Sequence, residues 1–331
     1  MSTKNNKKLI RWGIIGCGDV TEVKSGPAFN KTEGFELKAV MRRDEAKVKD
    51  YAKRHGVDKY YTDADALIHD EEVDAVYIAT PPDSHLNYAL KVAEANKPCC
   101  IEKPMAPSYA ESLQITEAFK KHNTPLFVAY YRRSLPRFVQ VKKWLEAGEI
   151  GTVRHINWHL SQPASPTDLS KNYNWRTDSR VAPGGYFDDL ASHGLDLFIY
   201  YLGDIENAKG ISLNQQGLYD AKDAVCASWL HKGGVTGMGV WNFGIESMDR
   251  VEIFGNQGKI IFSVFEERAV QLFKEGKMTE ELSIDHPKHV QFPHVENIQK
   301  QLFGDGYLHP SPGETAVHTS WVMDSILGVM I

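Results

Sequence analysis

Residues 9–21 have the sequence LIRWGIIGCGDVT, an apolar run that ends in a glycine-rich turn. The run predicts a buried strand, because all but one of the positions before the turn are apolar or glycine. Gly16 and Gly18 allow a tight turn and a close approach of the backbone to a pyrophosphate group. Thr21 stands where this fingerprint has a third glycine or alanine. The stretch therefore favours a dinucleotide-binding turn, and a plain strand–helix turn is the alternative.

The same kind of apolar run recurs through the first part of the chain. Further strands are predicted at 35–41, 74–79, 98–102 and 125–130. Amphipathic stretches between them predict helices at 44–56, 85–97 and 108–123. Strands and helices that alternate in this way predict an N-terminal Rossmann domain, an α/β fold with a doubly wound parallel sheet.

After about residue 130 the runs become longer and alternate between apolar and polar positions. A helix at 137–149 is followed by predicted strands at 152–161, 224–231, 234–243, 250–255 and 259–265. Alternation of this kind is typical of antiparallel strands with one covered face. We therefore predict a first domain at 1–129 and a second, α+β domain at 130–331 with a mostly antiparallel sheet.

Length and composition are consistent with two globular domains. A chain of 331 residues is too long for one ordinary core, and 42% hydrophobic with 24% charged residues is the balance of a folded globular protein. The formal net charge of −5 gives no reason to expect nucleic acid or an anionic membrane as a partner. No apolar run approaches the length of a membrane span.

The N-terminus and the cysteines favour a cytoplasmic protein. The lysines before the first apolar run superficially resemble a signal peptide, but Arg11 interrupts the run, so we expect a tail followed by a strand. The four cysteines are too few and too irregularly spaced for a disulfide framework, which predicts reduced thiols.

The residues after the second predicted strand bear on the choice of nucleotide. A carboxylate at that place would bind the ribose hydroxyls of NAD, but the chain has Arg42 and Arg43 there. Two guanidinium groups suit a 2′-phosphate, so we expect NADP(H) in preference to NAD(H), which stays possible. The alternative is a solvated pair of arginines that opens a helix, with Asp44 as its N-cap.

The segment 184–196, GGYFDDLASHGLD, carries a candidate for proton transfer. Its apolar residues fall at helical spacing, so that Asp189 and His193, four positions apart, share one helix face. A carboxylate beside an imidazole suits general acid–base chemistry near neutral pH. The alternative is an acid favoured by the helix dipole and a half-buried structural histidine.

Four motifs together resemble one known family. These are the Gly-x-Gly turn, ATPPDSH at 79–85, EKP at 102–104 and the segment 184–196, in this order and spacing. The chain closely resembles the glucose–fructose oxidoreductase/inositol dehydrogenase (Gfo/Idh/MocA) family over nearly its whole length. The resemblance implies a second domain whose open sheet forms a homodimer or homotetramer interface. It also implies hydride transfer between a nicotinamide and a carbinol or carbonyl carbon of a sugar, polyol or related small molecule.

The resemblance also implies roles for particular residues. The family's catalytic lysine, acid and general acid/base match Lys103, Asp189 and His193. The cofactor-binding residues are predicted from the glycine-rich turn, from the residues after the second strand and from the resemblance. They are Gly16, Gly18, Asp19, Val20, Arg42, Arg43, Thr80, Pro81, His85, Glu102, Lys103, Trp175 and Arg176. The expected substrate contacts are the catalytic three with Arg132, Tyr173 and Tyr186, of which Arg132 could also cap the crossover and the tyrosines could also be packing residues.

Other activities stay open within the same resemblance. One is a glycosidase that oxidises and re-reduces its sugar with a tightly held NAD, and another is a non-catalytic nucleotide-binding regulator. Reductases of aromatic dihydrodiols or of biliverdin-type tetrapyrroles are further alternatives. Three histidines at 286, 289 and 294 fall near two prolines that break a helix, so we predict a polar loop and no metal site.

Overall fold

The computed structural model describes residues 8–304 and 306–329, which form two compact units. The first unit contains the chain up to Ala106, then Ala110–Ser134 and Pro287–Glu314. The second contains Pro107–Tyr109, Leu135–His286 and the chain from Thr315 onward. The predicted N-terminal tail falls mainly on residues 1–7, outside the described residues.

The first unit is built on a six-stranded parallel sheet. Its strands are β1 (Ile10–Ile15), β2 (Phe35–Met41), β3 (Lys59–Tyr61), β4 (Ala75–Ile78), β5 (Cys99–Ile101) and β6 (Leu126–Val128). Their order in the sheet is β3-β2-β1-β4-β5-β6, with every pair parallel. The strand order reverses between β1 and β4, as in a Rossmann fold. The predicted doubly wound sheet is confirmed, and β3 is an addition to the predicted strands.

The helices of the described residues include four whose ends lie within three residues of the predictions at 44–56, 85–97, 108–123 and 137–149, and the others had no predicted bounds. The helices are α1 (Asp19–Val23), α2 (Gly26–Lys31), α3 (Glu45–His55), α4 (Ala64–Ile68), α5 (His85–Glu94), α6 (Tyr109–Lys121), α7 (Pro136–Glu146), α8 (Pro166–Leu169), α9 (Ser192–Leu202), α10 (Phe292–Phe303) and α11 (Gly313–Leu327). In α3 the side chain of Asp44 accepts a hydrogen bond from the backbone N–H of Lys47, and Gly56 ends the helix at φ +64°. The sequence signals for a helix N-cap and C-cap are therefore used as expected here.

Aromatic side chains fill the core under the β1–β2 face of the parallel sheet. Trp12, Phe29 and Tyr77 are fully buried, and Phe29 lies 4.7 Å from each of the other two rings. Packing of this density fixes the strands of the sheet against α2.

The second unit is built on an eight-stranded sheet. Its strands are β7 (Val153–Ser161), β8 (Ile205–Leu213), β9 (Ala224–His231), β10 (Thr236–Asn242), β11 (Met248–Gly255), β12 (Gly258–Phe262), β13 (Val270–Lys274) and β14 (Lys277–Leu282). Their order is β14-β13-β12-β11-β7-β10-β9-β8, and the pair β7–β10 is parallel while the others are antiparallel. The predicted large, mostly antiparallel sheet is confirmed.

One face of this sheet is covered by α9. Gly194 in α9 lies so close to Trp158 on β7 that a Cβ atom there would come within 2.3 Å of the indole ring. Phe198, one turn later, meets the same indole edge to face at 5.7 Å. The glycine thus lets the start of α9, where the candidate proton-transfer residues lie, approach the sheet closely.

Across residues 8–304 and 306–329 we find no helix that is both long and apolar enough to span a membrane.

Candidate active site

The glycine-rich turn after β1 has the geometry of a phosphate cradle. Gly16 has φ +91°, and a Cβ atom there would lie 2.6 Å from the Cγ2 atom of Thr80. At Gly18 the space is open, since the nearest atom to such a Cβ is 3.9 Å away. The Oγ1 of Thr21 donates to the carbonyl oxygen of Gly18 at 2.8 Å. The threonine that departs from the fingerprint therefore closes the turn itself, and the turn fits a bound pyrophosphate.

Arg42 lies beside this turn, at the end of β2. Its side chain is half-buried, and its Nη1 donates to the carbonyl oxygen of Cys17 at 3.3 Å. Arg43 is exposed, and Asp44 is engaged as the N-cap of α3. Burial raises the pKa of the Cys17 thiol to about 11, so this thiol stays protonated at neutral pH. The charged group that the end of β2 places against the glycine-rich turn is therefore the guanidinium of Arg42.

The loop after β4 is fastened by His85. One ring nitrogen lies 2.8 Å from the carbonyl oxygen of Thr80 and the other 3.1 Å from that of Met105. Burial lowers the pKa of His85. Because the ring is fully buried, His85 ties the loop after β4 to the segment after β5, while Thr80 is half-buried and Pro81 exposed.

Glu102 and Lys103 follow β5 at the carboxyl end of the parallel sheet. The carboxylate of Glu102 is buried and accepts hydrogen bonds from the Tyr77 hydroxyl at 2.5 Å and the Gln291 amide at 2.6 Å. The backbone N–H of Lys103 donates to the other carboxylate oxygen at 3.2 Å. Lys103 is half-buried, and the peptide bond between Lys103 and Pro104 is cis.

In the second unit, Asp189 is a buried carboxylate held by Arg176. The Nε of Arg176 donates to Oδ2 of Asp189 at 2.5 Å, and the guanidinium stacks 4.4 Å from the centre of the Trp175 ring. His193 is also buried, and its ring meets Phe265 edge to face at 5.7 Å. An arginine-held carboxylate and a buried imidazole within one short segment suit proton transfer.

The helix that carries these two residues is not regular throughout. Phe187–Ala191 forms a π-helical turn, and α9 follows from Ser192. The predicted single α-helical face for Asp189 and His193 was therefore wrong in detail, because the wider turn rotates the acid relative to the histidine. π-Helical turns occur frequently at functional sites.

A cleft of about 360 Å³ lies in the second unit next to this segment in the chain. Its lining includes Asp168, Tyr173, Asn174 and Tyr219. Tyr173 is 77% exposed, so it is not a packing residue. The cleft offers aromatic rings together with carboxylate and amide groups, and Lys171 and Arg180 add two cations, so it suits a polar ligand with several hydrogen-bonding groups.

The hydroxyl of Tyr186 belongs to a polar cluster that also supports this cleft. It donates to Asp168 at 2.9 Å and accepts from the Asn174 amide at 2.9 Å. Burial and then the negative charge of Asp168 raise the pKa of Tyr186. The cluster fixes Asn174, whose side chain in turn caps the short helical turn that begins with Trp175 and Arg176.

The remaining predicted residues are placed as follows. Arg132 is buried 5.1 Å from the centre of the Tyr131 ring, and its neighbour Arg133 donates to the carbonyl oxygen of Pro310 at 2.7 Å. Asp19 and Val20 form the first turn of α1, where Asp19 is exposed.

The three histidines were predicted to lie in one polar loop, and this prediction was wrong for His294, which lies in a helix. Helix α10 begins at Phe292, so Pro293 lies in its first turn, where proline is tolerated. His294 is buried in the helix 4.5 Å from the ring of His309, and burial lowers its pKa well below the usual range. Within the described ranges, no group of three or more ligand-type side chains could hold a metal ion.

Sequence reasoning missed several residues of these clusters. Tyr77 lies in the middle of a strand, and Gln291 lies 189 positions from its partner Glu102. Asp168 lies in the short helix α8, where Ser165 and Asp168 form a capping box, a local signal that could have been found. Asn174 lies in an irregular segment, and the residues Tyr77, Gln291 and Asn174 reach their partners only through the fold.

Comparisons with known proteins agree with this architecture. The family model described as "Oxidoreductase family, NAD-binding Rossmann fold" matches residues 10–130, and the "GFO/IDH/MocA C-terminal domain" matches residues 138–261. Oxidoreductase P35 of Formosa agariphila is 40% identical over 96% of this chain and 98% of its own length. Myo-inositol 2-dehydrogenase of Thermotoga maritima is 26% identical over 80% of this chain and 79% of its own.

The fold is also similar to that of solved structures. A levoglucosan dehydrogenase in complex with NADH and levoglucosan superposes with a TM-score of 0.83 and 21% sequence identity, over 96% of each chain. The two sheets, the glycine-rich turn and the family matches agree with one another. The chain therefore belongs to the Gfo/Idh/MocA family of oxidoreductases, whose N-terminal domain is an NAD-binding Rossmann fold.

Proposed function

We propose that the protein transfers a hydride between a nicotinamide cofactor and a carbinol or carbonyl carbon of a sugar or polyol. The observation that carries the proposal is the buried Asp189, held by Arg176 in the turn before His193, in a member of an oxidoreductase family. The nucleotide would bind in a domain at 1–129, and residues 130–331 would supply substrate contacts and the oligomer interface.

The cofactor is held by the glycine-rich turn and by Arg42 in this proposal. Gly16 and Gly18 leave room for the pyrophosphate, and Asp19 and Val20 begin the helix that faces it. Arg42, fixed against the Cys17 carbonyl, supports NADP(H) as the preferred cofactor, with NAD(H) as the alternative. The bound nicotinamide supplies the hydride acceptor or donor. Thr80, Pro81, His85, Glu102, Trp175 and the exposed Arg43 complete the proposed cofactor contacts.

Proton transfer is the task of the chain's own side chains. His193 takes the hydroxyl proton when the alcohol is oxidised and returns it when the ketone is reduced. The ammonium of Lys103 stabilises the alkoxide that develops, and Asp189 orients the imidazole. Arg176 holds Asp189 in place, since a buried carboxylate without a cationic partner is costly.

A polar cleft in the second unit, whose lining residues include neither Asp189 nor His193, supports a polyhydroxylated substrate. Tyr173 presents an exposed ring on which the apolar face of a sugar can pack. Asp168 and Asn174 hold the Tyr186 hydroxyl through hydrogen bonds, and Tyr186 and Arg132 are further proposed contacts. Two relatives named after cyclic polyols, an inositol dehydrogenase and a levoglucosan dehydrogenase, support the same substrate class.

The test follows nicotinamide absorbance across a panel of sugars, inositols and their keto forms with NADP and NAD. Lys103→Met and His193→Asn are each expected to lower kcat by ~10²-fold or more while the cofactor still binds. Lys121→Met, on the exposed end of α6, is the matched control and should keep wild-type turnover. Near-normal turnover in both active-site variants, or glycoside cleavage without net cofactor turnover, would contradict the proposal.

We also propose that the open face of the eight-stranded sheet binds a second copy of the chain. Ile211, Cys226 and Val240 are register partners on β8, β9 and β10, and they form an apolar row. Ile211 is 68% exposed, and Met238 on the same sheet is 48% exposed. Ile211→Glu should convert a dimer or tetramer into a smaller species in light scattering, and a wild-type protein that is monomeric would refute this part.

A further inference from the structure

The carboxylate of Glu102 is held in an unusual way for a buried charge. Its three hydrogen bonds described above come from a phenol, a side-chain amide and a backbone N–H, all of which are neutral donors. All three donate to it, which suits the ionised form, since a protonated acid would also need an acceptor. These donors stabilise the carboxylate without cancelling its charge, so its negative field extends into the surroundings.

Tyr77 is built to act as a permanent donor to this group. Its ring is fully buried and stacked 4.7 Å from Phe29, which fixes its position. Burial, and then the negative charge of Glu102, raise the pKa of Tyr77 well above its usual range. The hydroxyl therefore stays protonated and donates a hydrogen bond to Glu102 at 2.5 Å.

Gln291 is held at the same carboxylate from a distant part of the sequence. Its side chain is buried, and its Nε2 donates to Glu102 at 2.6 Å. Its Oε1 is buried without a hydrogen-bond partner among the residues that the structure describes. The bond to Glu102 is therefore the polar contact that orients this amide. The segment Pro287–Glu314 returns to the first unit and brings Gln291 there.

The position of Glu102 in the sheet indicates which part of a bound cofactor its charge would act on. The residue follows β5, which lies between β4 and β6, and its N–H continues the ladder to the carbonyl oxygen of Ile78. Open parallel sheets bind their ligands beyond these carboxyl ends. The β1 turn and Arg42 would bind the pyrophosphate and the adenosine half of the cofactor. The nicotinamide half would then lie at the carboxyl ends of β4 and β5. This step rests on the proposed function.

We propose that Glu102, clamped by Tyr77 and Gln291, biases the site toward the oxidised nicotinamide. The oxidised ring carries a positive charge and the reduced ring is neutral, so a fixed carboxylate attracts one form and not the other. The ammonium of Lys103 has the opposite sign and opposes this bias. Tyr77 and Gln291 are positioning residues, because they act on the cofactor only through Glu102.

Binding of the oxidised and reduced cofactor, measured by titration calorimetry without substrate, tests the proposal. The readout is the ratio of the two Kd values for NADP+ and NADPH, or for NAD+ and NADH if these bind more tightly. Glu102→Gln should weaken the oxidised form about five-fold relative to the reduced form. Lys103→Met should move the ratio in the opposite direction, because it removes a positive charge.

The positioning residues and a control complete the design. Tyr77→Phe keeps the ring and its stacking, and Gln291→Leu keeps the bulk, and each should move the ratio in the same direction as Glu102→Gln but by less. Glu94→Gln removes an exposed carboxylate at the end of α5 and should leave the ratio unchanged. If Glu102→Gln folds poorly, Tyr77→Phe carries the test.

Two outcomes would overturn the proposal in distinguishable ways. If Glu102→Gln and Lys103→Met shift the ratio in the same direction, or weaken both forms equally, the charge is not the cause, although the proposed function stands. If the wild-type protein binds neither form of either nucleotide, the proposed function itself fails, and this inference fails with it.

Discussion

Arg176 donates through Nε to Oδ2 of Asp189 over 2.5 Å, and this ion pair links the segment that holds Trp175 to the π-helical turn. Its two ends differ in exposure, since the arginine side chain is 38% exposed and the aspartate side chain only 9%. The guanidinium is also stacked on Trp175. A buried carboxylate thus depends on a partner that reaches it from a half-exposed loop.

Removal of this partner should impair both catalysis and stability. Arg176→Leu is expected to lower kcat by ~10-fold or more, because Asp189 loses a cation that orients it. The urea midpoint should fall as well, because the substitution leaves a carboxylate that is only 9% exposed without this cation. Steady-state kinetics on the best substrate of the panel, with urea unfolding alongside, measures both quantities.

Arg268→Leu provides the matched control for this prediction. Arg268 also lies in the second unit, is 66% exposed and pairs with Glu266 at 2.5 Å. Its loss removes the same charge without touching Asp189. Equal effects of the two substitutions on kcat would mean that the net charge of this unit, and not the pair with Asp189, supports turnover.

The second prediction concerns the choice of cofactor. Arg42→Asp should lower kcat/KM with NADP relative to NAD by ~10-fold or more, because a carboxylate repels the 2′-phosphate and accepts from the ribose hydroxyls. Lys53→Asp, on the exposed face of α3, changes the charge equally and should leave the ratio unchanged. A wild-type preference for NAD(H) would contradict the assignment of NADP(H).

Strands with mainly apolar residues could be predicted from the sequence, whereas polar edge strands could not. β1, β2 and β4 are buried on both faces, and their apolar runs locate them within one or two residues. β3, at the edge of the first sheet, consists of Lys59–Tyr61 and is partly exposed, so it offers no apolar run. β14 at the edge of the second sheet is Lys-Met-Thr-Glu-Glu-Leu and almost wholly exposed. Edge strands of this kind form because a neighbour offers its backbone, which a sequence pattern does not contain.

The site shows the same limit. Motif residues such as Gly16 and Asp189 could be chosen from the sequence, because turn chemistry and spacing single them out. Thr21 was a departure whose meaning came only from its hydrogen bond to Gly18. Gln291 is a polar residue in an irregular segment, and only the return of the chain to the first unit brings it to Glu102. Local rules identify the residues of a turn, whereas the partners that fix them are set by tertiary contacts.

The third prediction separates two reasons why the cradle needs glycine. Gly16→Ala introduces a Cβ 2.6 Å from the Thr80 side chain at φ +91°, so it should both destabilise the fold and weaken cofactor binding. Gly148→Ala meets nothing within 4 Å at φ +69°, so it should cost only the ~1 kcal/mol of a left-handed backbone. Urea unfolding and cofactor Kd measure the two effects. Equal losses of stability in both variants would show that steric contact with Thr80 plays no part.

The last prediction concerns Asp188, the neighbour of the candidate acid. Its Oδ2 accepts from the backbone N–H of Gly184 at 2.8 Å. Burial, with repulsion from Asp324 and Asp189, raises the pKa of Asp188 from 3.8 to about 7. Between these two values the folded protein holds a proton that the unfolded chain has lost. The free energy of unfolding that this group contributes is therefore complete below about pH 4 and is lost as the pH rises to about 7.

Asp188→Asn should remove this loss, because the amide has the same shape and its oxygen can accept from Gly184. The variant is expected to gain stability relative to the wild-type protein as the pH rises from 5 to 8, on the order of 2 kcal/mol. Urea unfolding of both proteins at the two pH values measures the difference. Parallel dependences on pH would mean that Asp188 is ionised in the folded protein at pH 5, and that its burial is compensated by contacts other than the Gly184 hydrogen bond.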